Sequence, residues 1–135
     1  ELATASSPQE KLHTFIRASV ASYASSRVFS KIILLEVRNS PKFFSSDAYL
    51  LLREYSRILK NILKEGIDAG TFATDLNIPA LGEIIFGAIE HACLSSIIFN
   101  RDIDIEQETD HLCRVLFHGI CSTELRNVLG ECNEE

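Results

Sequence analysis

The run Ile62–Glu90, ILKEGIDAGTFATDLNIPALGEIIFGAIE, decides the fold, because it holds one helix end, one tight connector and the start of a strongly apolar helix. Gly70 suits the left-handed residue just past a helix C-terminus, with Phe72 beyond it to fold back onto the last turn, so the first helix is expected to stop at Ala69. Asn77 then offers a capping oxygen, Ile78 and Pro79 occupy a first turn where a missing N–H costs nothing, and the apolar series resumes at Leu81. A second helix starts there.

Outward from this corner the same chemistry repeats. Towards the N-terminus, Ser7, Pro8 and Glu10 form a capping box with a first-turn proline, opening a helix whose face is Leu12, Phe15, Ile16, Val20 and Tyr23, ending near Ala24. Ser26 caps a second helix through Val28, Phe29, Ile32, Ile33, Leu35 and Val37, apolar on most sides and therefore expected to be buried on two faces, until Pro41 ends it at Ser40. After a loop over 40–46, a long helix from about Asp47 to Ala69 carries the clearest stripe: Ala48, Leu51, Leu52, Tyr55, Ile58, Leu59, Ile62 and Leu63. That spacing, near 3.5 residues, means packing along another helix.

Beyond the corner, residues 81–99 are apolar on nearly every face, and a helix apolar all round must be covered all round. One face meets the other helices; the surplus face is expected to meet a second copy of the chain. Asp104 and Gln107 start a last helix with Leu112, Val115, Leu116, Gly119, Ile120 and Leu125 on its face, Gly119 allowing a close backbone approach. The fold class is thus all-α, with about five helices and no strands. The domain is expected to span 7–129, with 1–6 left over from a preceding helix and an acidic disordered tail over 130–135.

Composition narrows the function. At 135 residues and 46% hydrophobic the chain can bury one core, and a formal net charge of −6 repels a phosphate backbone, so direct nucleic-acid binding by these residues is not expected. Apolar runs fall short of the ~18 residues a membrane span needs, and there is no signal-peptide pattern, so a soluble cytoplasmic protein without a membrane partner is expected. No methionine occurs, even at position 1, which suggests a piece of a longer protein. Cys93, Cys113, Cys121 and Cys132 form no C-x-x-C pair and read as reduced thiols.

Glu108 and His111 make an E-x-x-H pair, half of a helical di-iron site, but a second pair is missing, and His111, Cys113, His118 and Cys121 are scattered round one helix; no metal is expected. Without a Gly-rich phosphate loop or a nucleophile–base constellation, neither a cofactor nor catalysis is expected. The residues alone leave open a ferritin-like metal enzyme and a ligand-free helical interaction module.

Four phrases, LLEVRNSPKF at Leu34–Phe43, REY at Arg53–Tyr55, ILKEGIDAGTF at Ile62–Phe72 and IIFGAIE at Ile84–Glu90, together resemble the C-terminal regulatory domain of TetR-family transcriptional repressors, over about Pro8 to Cys121. The resemblance implies a homodimer built on a four-helix interface from the last two long helices of each subunit. Preceding helices enclose a pocket for a small, largely apolar effector that releases the parent repressor from DNA. It also implies that DNA is met only through an N-terminal helix-turn-helix absent from this chain, residues 1–5 being the remnant of its linker helix. On this reading His13, Arg17, Tyr23, Arg38, Tyr55, Glu90 and His91 are candidate polar groups of the pocket, and Ile85, Ala88, Ala92, Leu112, Leu116, Gly119 and Ile120 candidate interface residues. Glu90 and His91 serve equally as satisfied core groups or as a pair across the dimer, Arg17 and Arg38 as ordinary surface arginines, and Tyr55 is expected to be buried in every case.

Overall fold

A computed structural model describes residues 7–119. The helices are α1 (Pro8–Ser25), α2 (Arg27–Lys31), α3 (Asp47–Asp68), α4 (Ile78–Ile98) and α5 (Ile105–His118), and there is no strand among the described residues. Each start follows from a side-chain cap: Ser7 with the reciprocal Glu10 contact for α1, Ser26 for α2, Ser46 for α3, Asn77 for α4 and Asp104 for α5. α2 runs on through a wide π-type turn (Ile32–Glu36) and a 3-10 turn (Val37–Asn39), and stops before Pro41.

The corner at Gly66–Gly70 closes as glycine chemistry requires. Gly70 has φ 71°, and the N–H groups of Thr71 and Phe72 both donate to the Gly66 carbonyl at 2.9 Å. The Phe72 ring lies on Gly66 so closely that a Cβ there would sit 2.0 Å from ring carbon Cδ2.

α1 is the central helix and packs against α3, α4 and α5. Leu12, Phe15, Ile16 and Val20 of α1 meet Leu59, Ile62 and Leu63 of α3, Ile85, Ile89, Cys93 and Ile97 of α4, and Cys113 of α5. The two cysteines are free thiols, and burial pushes both up from the usual 9.0 to about 11, with Glu108 adding to the effect at Cys93 and Asp110 at Cys113. At neutral pH both stay protonated and poor nucleophiles. The buried hydroxyls are satisfied by backbone carbonyls: Ser19 donates to Phe15, Ser30 to Tyr23 and Thr109 to Ile105. Surface ion pairs Lys11–Glu65 and Arg17–Glu106 tie α1 to α3 and to α5.

Several expectations are corrected by packing. α2 is not buried on two faces, since Val28, Phe29, Ile32 and Leu35 are exposed and only Ser30 is buried. The α3 stripe is fully buried only along its C-terminal half; Leu51 is 66% and Tyr55 39% exposed, because the N-terminal half meets only the turn at Phe43 and the ring of Phe15. Ile85 is 1% exposed inside the chain's own core and so belongs to no outer face. Gly119 is not inside a helix: α5 ends at His118, and Gly119 follows as its C-cap with φ 68°. By length and composition α4 is apolar enough to cross a membrane, against the expectation that no segment qualifies. Ile120, Leu125, Cys121, Cys132, the N-terminal remnant and the acidic tail lie outside the described residues.

Gly66→Ala is expected to destabilise the fold by about 1–3 kcal/mol in urea denaturation, because the Phe72 ring must leave its seat. In a Phe72→Ala background the same change should be neutral or stabilising, since only the helix propensity gain of Ala, about 1 kcal/mol, remains.

Candidate functional site

The uncovered half of α3 faces a cavity of about 210 Å³ bounded by α1, α2, α3, α4 and the turn at Phe43. Phe29 and Ile33 close one side, Leu51, Leu52 and Tyr55 the next, and Phe86 and Ile89 a third, with Ser19, Ser22, Tyr23, Ser30 and Glu90 as the polar minority. Its floor is aromatic. Phe15, 2% exposed, has its ring centroid 5.8 Å from Tyr55 and 6.0 Å from Phe86, so three helices meet at one cluster that separates the cavity from the core. A second aromatic group, Phe43, Phe44 and Tyr49, with centroids 5.3–5.6 Å apart, holds the start of α3 against the preceding turn.

Side chains that line the cavity are exposed where an apolar residue normally would not be, Phe29 at 62% and Leu51 at 66%. The cavity is therefore a site with apolar surface still to bury. Its volume lies below the roughly 300 Å³ at which pockets take a whole drug-sized ligand, which fits a slender apolar portion of a larger molecule.

Glu90 lies where two openings adjoin. The Tyr23 hydroxyl donates to its Oε1 at 3.4 Å, and with Leu52 and Phe86 it lines both the cavity and a wider open groove of about 740 Å³ between α3 and α4. On the α3 side that groove carries Arg53, Glu54, Arg57 and Lys60; on the α4 side, Glu83 and Glu90. Arg57 donates through Nε to Glu54 at 3.0 Å, and this hydrogen bond holds the Glu54 carboxyl below its usual range.

Of the expected polar groups, Tyr23, Tyr55 and Glu90 come together at the cavity. Arg17 instead pairs with Glu106 across to α5, His13 is half-buried on α1 away from the lining, and His91 is exposed in line with Ile84 and Ile98 on the outward side of α4. The Arg38 side chain lies outside the described residues. Phe15, Phe29, Phe86, Ser19 and Ser30 were not singled out by sequence: they sit on separate helices, and no spacing links them. Only the apolar repeat on each helix hinted at them. Among the described residues no group of three or more His, Cys, Asp or Glu side chains gathers to hold a metal ion.

The outer faces of α4 and α5 keep apolar surface. Ile84 is 61% and Val115 53% exposed, Ile98 and Phe99 are exposed too, and Ala88, Ala92, Leu112 and Leu116 are half-buried beside them.

Comparison with known proteins agrees with this architecture. A curated relative, the fatty acid metabolism regulator protein of Bacillus subtilis (strain 168), is 27% identical over 112 residues, which is 83% of this chain and 58% of the relative; the chain thus spans little more than half of that protein. The crystal structure of the transcriptional regulator FadR from Bacillus subtilis in complex with stearoyl-CoA superposes with a TM-score of 0.79 at 23% identity, covering 89% of this chain and 64% of that one. The family model for the C-terminal region of YsiA-like proteins matches residues 1–119. The chain belongs to this family, the C-terminal regulatory region of TetR-type transcriptional regulators.

Proposed function

We propose that this chain is the effector-sensing and homodimerising part of a TetR-type repressor, and that its effector is an acyl thioester of coenzyme A. The observation that carries the reading is the small, apolar and partly uncovered cavity, whose fold neighbour was solved with stearoyl-CoA. An acyl chain entering past Phe29 and Leu51 buries side chains that water now touches, at a gain of roughly 25 cal/mol for each Å² of apolar surface covered.

The repressor part of the reading is two-state. The ligand favours the arrangement of α1–α4 that encloses the chain, and the parent protein, whose helix-turn-helix would lie before these residues, then leaves its operator in the cytoplasm. α4 supports this coupling because it contributes Phe86, Ile89 and Glu90 to the cavity while presenting Ile84, Ala88 and Ile98 outward. Two copies meeting through α4 and α5 would cover that outward surface, Ala88, Ala92, Leu112 and Leu116 included.

Leu51→Asp places a charge on the cavity wall at an exposed position, so it should leave the unfolding midpoint nearly unchanged yet weaken lauroyl-CoA binding by about tenfold or more in calorimetry. Full affinity in that variant would put the ligand elsewhere. For assembly, sedimentation should find a dimer at micromolar concentration and a monomer for the Ile84→Glu/Val115→Glu double variant; a monomeric wild type, or a variant that still dimerises, contradicts the α4–α5 interface.

A further inference from the structure

The helix that walls the cavity is apolar on two sides. Phe29 and Ile33, four residues apart, line the cavity, whereas Val28, Ile32 and Leu35, at positions i, i+4 and i+7, form a second stripe that is 71%, 39% and 45% exposed. Past that helix the same kind of surface continues in Phe44, 72% exposed, and in Leu50 on the first turn of α3, 60% exposed. Eight of the thirteen large apolar side chains exposed among the described residues fall within 27–57, so they are concentrated and not scattered as on an ordinary surface.

Positive charge is concentrated with them. Residues 27–57 carry six Lys and Arg against three Asp and Glu, whereas the rest of the chain carries seven against sixteen. Lys42 stands two residues before Phe44 and Arg53 one turn after Leu50; both are exposed, and neither holds a carboxylate among the described residues. Arg27 and Lys31 edge the α2 stripe, with their charged ends held at Asn100 and, for Arg27, at Asp102. An apolar stripe bordered by cations is the composition of a segment that lies in the headgroup layer of a bilayer, its aliphatic side chains among the acyl chains and its cations at the phosphates.

We propose that this face, α2 with Phe44 and the first turns of α3, docks on an anionic lipid surface. Charge selects the occupant. An anionic bilayer repels the rest of this chain, with its excess of acidic groups, and attracts only the 27–57 face, which sets one orientation. A second copy meeting this face symmetrically would set like charge against like, and is disfavoured on the same ground. The contact is peripheral, with nothing spanning the bilayer, and it departs from the expectation of no membrane partner. It goes beyond the proposed function and stands whatever fills the cavity. Because Phe29 and Phe43 line the cavity next in sequence to Val28 and Phe44, docking brings the cavity's rim to the lipid.

Vesicle sedimentation of this chain tests it, with pure phosphatidylcholine and with an equimolar mixture of phosphatidylcholine and phosphatidylglycerol. The wild type should partition onto the mixed vesicles at least about tenfold more than onto phosphatidylcholine, and added salt should weaken that binding. Val28→Asp/Leu35→Asp, at exposed positions, should keep the unfolding midpoint and lose about tenfold or more of the partitioning, while Leu76→Asp should bind as the wild type does. Lys42→Glu/Arg53→Glu should lose the preference for charged vesicles, and this variant decides alone if the first one unfolds. A wild type that stays off both vesicles or binds both alike overturns the proposal. So does partitioning that survives the first variant, a preference that survives the charge reversal, or an equal loss in Leu76→Asp. A parent protein that ignores the mixed vesicles when this chain binds them also overturns it, since its remaining residues would then be the cover.

Discussion

The contact of Phe15 with Tyr55 and Phe86 is the point on which the rest of the structure depends. Phe15 belongs to the core formed with Ile16, Val20, Leu63 and Ile89, yet its two ring partners line the cavity. One aromatic cluster therefore ends the core and begins the site. Below it the apolar stripe of α3 is buried; above it the same stripe continues along the cavity, with α1, α2 and α4 standing off across it. The cavity is the consequence of a long helix whose apolar face outruns the elements available to cover it, and in the proposed function a ligand supplies the missing cover.

Short α2 shows how the cavity wall is attached. It contributes Phe29, Ser30 and Ile33 to the lining and is tied to α1 by the Ser30 hydroxyl on the Tyr23 carbonyl. At its outer edge Arg27 donates to the Asn100 carbonyl and pairs with Asp102, and Lys31 donates to the Asn100 side chain at 3.0 Å. The wall is thus held to the turn between α4 and α5 by exposed polar contacts, each worth little in stability, with Leu34 of its continuation resting on the core. Such an attachment is compatible with adjustment around a guest, and it joins the site to the two helices that carry the outward apolar surface.

Helix boundaries were legible in the sequence because capping is local chemistry. Ser7, Ser26, Asn77 and Asp104 cap as read, and Gly70 takes the left-handed conformation that the corner at 62–90 demanded. Periodicity also gave the core faces of α1 and of the C-terminal half of α3. It could not say how far a stripe is covered, since that depends on what lies opposite. Tyr55 and Phe29 were therefore read as buried when both stay partly open to water, and Ile85 as outward when it is core. The site was legible only in part: Tyr23, Tyr55 and Glu90 stood out as polar groups on apolar faces, whereas Phe15 and Phe86 became site residues only through meeting across helices.

The central claim is that the space above the Phe15 cluster holds an acyl chain, and photocrosslinking tests it most directly. A coenzyme A thioester with a diazirine near the end of its acyl chain, irradiated with the protein and mapped by peptide mass spectrometry, should label residues of the cavity such as Phe29, Leu51, Phe86 and Ile89. Labelling confined to the outward side of α4 and α5, at Ile84 or Val115, would contradict the account.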